Sequence, residues 1–407
     1  MKTLRKVLET ITEKLLMASG YITSITIILM VVFLFREGAG LFNTPDIEEG
    51  YVLAVNRENP VQKLSPQQVM QGFDGDIASW GTLGWGGGDS IRLFRLDDIT
   101  AYATPEELGE KLENVPQCLS RIVASHKNII AYLPKQLIAE DFAGRILDEG
   151  KITPASFLGG KLWYPTAQPA PQFGVLPLIL GTLWVSIAAI LIALPFGLAV
   201  AIYMAELAGH RLRNLLKPVI ELLAGIPSVV YGFFGMIVLV PAVQAMVKSP
   251  FFKTVLHVKS GKGMSLFTAA VLLGIMILPT IITVSKTSLD AVPDSYYEGS
   301  LALGATHERS VFFASLPAAK SGILAAIILG VGRAIGETMA VILVAGNQTV
   351  IPKSITSGIR TLTSNIVMEM GYAGGLHREA LIATGVVLFV FILIINLCFS
   401  ALKRRKD

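Results

Sequence analysis

Charged residues, cysteines and histidines are scarce in this 407-residue sequence. Asp, Glu, Lys and Arg make up 16% of it, and there are only two cysteines and five histidines. Cys118 lies in a polar region and Cys398 in an apolar run, so they do not suggest a disulfide framework. No group of histidine, cysteine and carboxylate residues has the spacing of a metal site, and no cofactor is predicted. The formal net charge of +4 is small, so nucleic acid is not an expected partner.

Apolar residues, in contrast, are abundant. They account for 52% of the chain, and the mean hydropathy is +0.60. Apolar stretches of about 20 residues, the length that crosses a bilayer, recur along the chain. The composition therefore predicts an all-α polytopic membrane protein with six transmembrane helices. These are predicted at residues 15–35, 175–205, 218–246, 265–289, 321–346 and 380–402.

The first apolar run predicts an uncleaved membrane anchor, with residues 1–35 forming a cytoplasmic N-terminus and the first transmembrane helix. A cleaved signal peptide is the alternative, but its apolar core is normally shorter, about 7–15 residues. Here Arg36 and Glu37 follow the run directly, without a small-x-small cleavage site before them.

The distribution of basic residues predicts that both termini are cytoplasmic. Basic residues follow the second and fourth apolar runs, and a basic tail closes the chain at residues 403–407. The positive-inside rule places all of these with the N-terminus on the cytoplasmic side. Four lysines between residues 248 and 262 fall on the predicted outer side and are interpreted as a local exception.

Residues 36–172 have the composition of a soluble domain, which predicts a small α/β extracytoplasmic insert between the first two transmembrane helices. Leu64 to Val69 is typical of a capped helix start, and Pro105 to Leu112 is predicted to be helical. Phe73 to Gly84 is predicted to be a turn with an aromatic anchor, and Ile91 to Leu96 alternates like a strand.

The polar stretch between the fourth and fifth runs, residues 290–320, contains six residues at a distinctive spacing. They are Glu298, Gly299, Ser300, Gly304, Leu316 and Pro317. Gly304 lets the chain turn between two short helices, and the proline can open the next helix without losing a needed donor. The spacing resembles the cytoplasmic coupling loop of ABC importer permeases, with Gly299, Ser300 and Ala314 as departures. The resemblance implies docking on an ATP-hydrolysing subunit; an ordinary amphipathic loop is the alternative.

Three further strings resemble the C-type permease subunits of phosphate-specific ABC importers. They run from Leu223 to Gly232, from Gly332 to Val341 and from Thr361 to Thr363. The resemblance implies the type I ABC importer permease fold for a core at residues 173–402. It also implies a bacterial inner-membrane location. Its expected partners are a second, homologous permease, two ATP-binding subunits and an extracytoplasmic phosphate-binding protein. The chain has no phosphate-binding loop of its own, so it is not expected to be an enzyme.

Arg333 lies near the middle of the fifth predicted span, where an arginine costs about 3 kcal/mol. Glu337 is one helical turn later on the same face and is expected to pair with it. We expect both residues to line the substrate path, with Arg333 contacting a passing oxyanion and Glu337 accepting a hydrogen bond from protonated phosphate. A purely structural ion pair is the alternative. Gly332 and Gly336 form a small-residue face for helix packing, and no strand precedes them as a dinucleotide fingerprint would require.

Part of the insert, chiefly Asn59 to Gly84, is similar to the second lobe of phosphate-type periplasmic binding proteins. The phosphate-holding Ser-Gly-Thr string of those proteins is missing, and the insert has about half the size of a two-lobed receptor. It is therefore expected to be a docking or gating platform and not a ligand trap. For the whole chain, an importer of another oxyanion, such as molybdate or sulfate, and a membrane receptor or scaffold remain as alternatives.

Overall fold

The structure is a computed structural model that describes residues 2–45, 47, 50–74, 77–83, 90–109, 112–148, 150–249 and 263–404. The chain divides into two compact units. The first, called the membrane unit, comprises Met1–Gly38 and Leu176–Asp407, and the second, called the insert, comprises Ala39–Val175. Three lysines of the predicted outer loop, Gly75, Asp76 and Gly84 of the predicted turn, and residues 405–407 of the basic tail lie outside the described residues.

The secondary structure of the described residues is mainly helical. In chain order the α-helices are α1 (Lys2–Gly40), α2 (Pro66–Phe73), α3 (Pro105–Leu108), α4 (Val115–Ser125), α5 (Pro154–Gly159), α6 (Leu176–Ile202), α7 (His210–Gly225), α8 (Ser228–Phe234), α9 (Val240–Lys248), α10 (Leu266–Asp290), α11 (Asp294–Ala302), α12 (His307–Ser310), α13 (Leu316–Ala318), α14 (Lys320–Gly336), α15 (Met339–Val344), α16 (Leu362–Glu369) and α17 (Gly375–Arg404). The strands are β1 (Tyr51–Val55), β2 (Arg92–Arg95), β3 (Ile129–Pro134), β4 (Arg145–Ile146), β5 (Trp163–Tyr164) and β6 (Gln172–Phe173). Single π-helical segments are Tyr203–Leu207, Gly235–Leu239 and Val311–Ser315.

Five helical stretches of the described chain are long and apolar enough to cross a membrane. They are Thr10–Asn43, Leu176–Leu207, Ser228–Lys248, Leu266–Asp290 and Gly375–Ala401. A bent pair, His307–Ala318 with Lys320–Gly336, makes a sixth if it is counted as one span. Its two parts meet at an angle of 69°.

Helix α10 is the centre of the membrane unit. Its residues are mostly buried, and it packs against α6 on one side and α14 on another. The close approach of α6 requires Gly197, because a Cβ at that position would lie 2.8 Å from a side-chain carbon of Ile281. In contrast, no residue in the apolar window of α1 is buried, and near the end of this helix the rings of Phe35 and Phe389 on α17 meet edge to face.

Two of the predicted spans are interrupted. The span predicted at residues 218–246 is interrupted where the sequence places Pro227, a residue expected to bend or interrupt it, because α7 ends at Gly225 and α8 begins at Ser228. Pro227 between them lacks an amide hydrogen, and Ile226 before it has an extended ψ of 128°. The span predicted at residues 321–346 is also discontinuous, since α14 ends at Gly336 and α15 begins at Met339.

The insert is built on a four-stranded sheet with the strand order β2-β3-β1-β4. Strand β3 runs parallel to β2 and antiparallel to β1, which also pairs antiparallel with β4. The predicted strand at Ile91–Leu96 and the predicted helix cap are confirmed, because Ser65 accepts a hydrogen bond from the Gln68 amide at the start of α2. The helix predicted at Pro105–Leu112 ends at Leu108, because Gly109 takes a positive φ of 82°.

Candidate substrate path and coupling segment

Arg333 lies one turn before the end of α14 and is partly buried. Its Nη1 atom donates a hydrogen bond of 3.1 Å to Oγ1 of Thr280 on α10. The ion pairs of the described membrane unit are Lys217–Glu221, Lys286–Asp290, Arg360–Glu369 and His377–Glu369. Arg333 belongs to none of them, so within the described residues its positive charge is not balanced by a carboxylate.

Glu337 follows the last residue of α14 and does not continue the helix. Its backbone is extended, with φ −71° and ψ 130°. Its Oε1 atom accepts hydrogen bonds from the amides of Thr338, at 3.1 Å, and Ala340, at 3.3 Å, at the start of α15. The expected pairing of Arg333 with Glu337 on one helical face is therefore wrong, because the helix ends between them and the carboxylate is used to cap the next helix. Oε2 of Glu337 has no hydrogen-bond partner among the described residues.

Thr280 differs from Thr287 and Ser288 of the same helix in the bond that its hydroxyl makes. Thr287 and Ser288 donate to backbone carbonyls one turn earlier, at 2.9 and 2.7 Å, as helical hydroxyls commonly do. Thr280 makes no such bond to any residue that the structure describes and only accepts from Arg333. Its hydroxyl proton is therefore available to a ligand beside the guanidinium, so both side chains can donate hydrogen bonds to the same ligand.

Gly332 and Gly336 lie on an exposed part of α14. A Cβ built at either position would meet no atom within 4 Å. No helix of the described chain therefore packs on this face, and the role of the two glycines in helix packing stays a prediction. Gly330 of α14, in contrast, faces inward, where a Cβ would lie 3.3 Å from a side-chain carbon of Ile281 on α10.

Residues 290–320, called the coupling segment, contain the short helices α11, α12 and α13, and a tight turn joins the first two. Glu298, Gly299 and Ser300 lie on α11, and Gly304 in the turn has a φ of +87°. The Ser310 hydroxyl of α12 donates to that of Ser300, at 3.0 Å, which ties the two helices together. The Tyr297 hydroxyl and His307 Nδ1 are also hydrogen-bonded across the turn. Leu316 and Pro317 lie on α13, just before α14 begins.

The outer surface of the coupling segment is apolar and exposed. Leu303 at the turn is 90% exposed and Phe313 is 77% exposed. On the opposite side Val311 and Ala319 are buried with Leu289 of α10, so this side anchors the segment to the membrane unit. Exposed apolar groups at a turn held in one conformation are suited to contact with another protein.

A second group of charged residues, called the charged cluster, surrounds α16 and includes one residue from the first turn of α17. It consists of Arg360, Glu369 and His377, none of which was selected as a site residue from the sequence. Arg360 directly precedes the Thr361–Thr363 string, and His377 lies in the first turn of α17. No sequence pattern indicates that these three side chains are buried together, and only the structure identifies them as a cluster. Within the described ranges no group of three or more histidine, cysteine or carboxylate residues could hold a metal ion.

Comparison with known proteins shows that the C-terminal half of the chain, which contains these residues, matches a known family. Residues 193–407 match the family described as the inner membrane component of binding-protein-dependent transport systems. The probable ABC transporter permease YqgH of Bacillus subtilis is 42% identical over 261 residues, which is 63% of this chain and 80% of that protein. The phosphate transport permease PstC of Mesorhizobium japonicum is 37% identical over 262 residues, 62% of this chain and 79% of its own.

Among solved structures, the inward-facing methionine transporter MetNI is similar over 57% of this chain and 94% of its own, with 18% identity and a TM-score of 0.42. Arg333, Glu337 and the coupling segment all fall within the residues that match the family. That match and the apolar helices confirm the predicted fold class of a polytopic helical membrane protein. Because the family match covers more than half of the chain, this protein belongs to the inner membrane components of binding-protein-dependent transport systems.

Proposed function

We propose that this chain is the permease subunit of an ATP-driven importer that moves inorganic phosphate across the cytoplasmic membrane. The observation that carries the proposal is the donor pair of Arg333 and Thr280, which presents a positive charge and a free hydroxyl without a carboxylate partner in the described residues. An oxyanion supplies only acceptors to such a pair, and a guanidinium is well suited to bind it.

Glu337 supports phosphate in particular over a fully ionised oxyanion. Its Oε1 atom is occupied by the two amides that it caps, while Oε2 keeps its acceptor capacity. Near neutral pH, phosphate carries at least one proton and can donate a hydrogen bond to this oxygen, whereas sulfate has no proton to donate. The similarity to permeases named for phosphate transport supports the same substrate.

The family accounts for the kind of complex in which the chain works, since its members function with ATP-binding subunits and a substrate-binding protein. In finer detail, we expect a second, non-identical permease and two copies of the ATPase. The exposed Leu303 and Phe313 of the coupling segment are the expected docking contacts with the ATPase. This chain performs no hydrolysis itself.

The proposal also includes the orientation of the chain. Both termini and the coupling segment are cytoplasmic, a placement that the distribution of basic residues supports, and the insert lies outside the cytoplasm. There it serves as a docking or gating platform for a phosphate-binding protein. A cysteine introduced at an exposed position of the insert is expected to react with a membrane-impermeant thiol reagent in intact cells, and a cysteine at Leu303 is not.

The test is uptake of labelled phosphate by vesicles containing the purified complex, its binding protein and internal ATP. Uptake is expected with the wild-type chain and is expected to fall to background with Arg333→Gln at equal abundance. Wild-type phosphate uptake by Arg333→Gln would remove the substrate-path role. Uptake of labelled sulfate or molybdate in place of phosphate would overturn the substrate, and ligand binding without any uptake would indicate a receptor.

A further inference from the structure

The charged cluster of Arg360, Glu369 and His377 is nearly closed to solvent. The side chains of Arg360, Glu369 and His377 are only 13%, 7% and 12% exposed. Burying three ionisable groups costs free energy, and apolar residues of similar size often stabilise a fold as well or better. A cluster of this kind therefore needs a reason beyond holding the fold together.

Each member of the cluster is held in a defined orientation. Nη1 of Arg360 donates both to Oε1 of Glu369 and to Oδ1 of Asn365, the latter at 3.0 Å. Nε of Arg360 donates to the backbone carbonyl of Asn347 at 3.2 Å. Oε2 of Glu369 pairs with Nε2 of His377 at 2.8 Å. Because a carboxylate only accepts, Nε2 is the protonated nitrogen of this histidine.

These contacts determine where the short helix α16 lies. Glu369 is its last residue and Arg360 precedes its first turn, so the ion pair joins the two ends of the helix. At that first turn the Leu362 amide donates to the Thr182 hydroxyl of α6, at 3.0 Å. The backbone also passes close to α6, since a Cβ at Gly181 would lie 2.4 Å from the carbonyl oxygen of Arg360.

The beginning of α16 contacts the break in the fifth span. The Thr363 hydroxyl donates to the backbone carbonyl of Glu337, at 3.2 Å. Glu337 is the residue at which α14 ends, and its carboxylate caps α15. A continuous set of contacts thus runs from His377 on α17 through Glu369, Arg360 and α16 to the break beside Arg333.

We propose that Arg360, Glu369 and His377 are positioning residues that hold α16 against Glu337 and so fix the geometry of the substrate path. This inference rests on the proposed function of Arg333 and Glu337. An apolar anchor would bury α16 equally well but would not fix its rotation or its distance from the break. Directional hydrogen bonds from both ends of the helix do so.

The deciding experiment replaces the whole cluster by apolar residues of similar volume, in the combined variant Arg360→Met, Glu369→Leu and His377→Phe, studied as the intact complex in vesicles. Membrane abundance and ATPase activity are expected to stay close to wild type. The amount of phosphate transported per ATP hydrolysed is expected to fall about tenfold or more, the scale of effect that a small misplacement of a functional group produces. His377→Gln, which keeps a donor for Glu369, is expected to retain most transport. Wild-type transport by the combined variant would overturn the proposal.

A second variant keeps the test informative if the combined variant fails to assemble. Thr363→Val removes only the hydroxyl that contacts Glu337, and Thr349→Val, in the stretch between α15 and α16, is the control. Thr363→Val is expected to lower transport per ATP without loss of abundance, and equal transport by the two variants would contradict the inference. Wild-type vesicles that move no phosphate would refute the proposed function instead, and the comparison would then be repeated with the anion that they do transport.

Discussion

Arg333 and Thr280 join two helices of the membrane unit through one hydrogen bond of 3.1 Å, and neither side chain is paired with a carboxylate in the described part of the chain. This relationship predicts that the threonine hydroxyl takes part in transport. Thr280→Val keeps the shape of the side chain but removes the donor. Transport of phosphate at saturating binding protein is expected to fall about tenfold, the effect of losing one hydrogen bond to a charged group, while Thr280→Ser restores it.

The matched control for Thr280 is Thr283→Val on the same helix, where the side chain is exposed and lies outside the donor pair. Abundance and ATPase activity are expected to be equal in the two valine variants. If the uptake rates of Thr280→Val and Thr283→Val were also equal, Thr280 would be excluded from the path.

Glu337 is predicted to have two separable roles. Glu337→Ala removes the cap of α15 and is expected to lower the free energy of unfolding by about 1 kcal/mol, measured as a lower thermal midpoint of the purified complex. Glu337→Gln keeps a capping oxygen and is expected to have a normal midpoint. Because its amide group replaces the free carboxylate oxygen, transport of phosphate is still expected to fall. A normal transport rate for Glu337→Gln would restrict this residue to its structural role.

Gly304 is predicted to be essential for the shape of the coupling segment. With a φ of +87°, an alanine there is expected to cost about 1–2 kcal/mol and to displace the turn that carries Leu303. Gly299 provides the control, because it is helical and a Cβ there would meet nothing within 4 Å. Gly304→Ala should therefore reduce ATPase stimulation and co-purification of the ATPase, whereas Gly299→Ala should leave both unchanged. Equal behaviour of the two variants would argue against docking at this turn.

Hydropathy was sufficient to predict the apolar helices but not the places where they break. Arg333 and Glu337, four residues apart, are equally compatible with one continuous helix. The extended backbone at Glu337 and its capping bonds depend on tertiary contacts, including that of Thr363, which lies 26 residues later in the chain. Pro227 was predicted to bend or interrupt its span because a missing amide is a local property, and it does interrupt it.

The helix α16 was not predictable for a related reason. It has only eight residues and includes Ser364, Asn365 and Glu369, so neither its length nor its composition indicates a buried helix. The helix can be buried because Arg360 and His377 both pair with the carboxylate of Glu369, and the sequence alone does not show these contacts. The coupling segment was more accessible to sequence reasoning, since a glycine between two helix-forming stretches indicates a turn by itself.

The insert offers a test of its role that leaves the membrane unit untouched. Gly160 and Gly174 pack so closely that a Cβ at Gly174 would lie 2.3 Å from the carbonyl carbon of Gly160. Gly174→Ala is therefore expected to destabilise the insert by about 1–3 kcal/mol, seen as faster cleavage of this unit by protease in the full-length complex. At Gly159 a Cβ would meet nothing within 4 Å, so Gly159→Ala is the control and is expected to be as resistant as wild type.

If the insert is the platform for the binding protein, Gly174→Ala should lose the stimulation of ATPase activity by that protein while keeping the basal rate. Full stimulation of a complex whose insert is cleaved would show that the binding protein docks elsewhere.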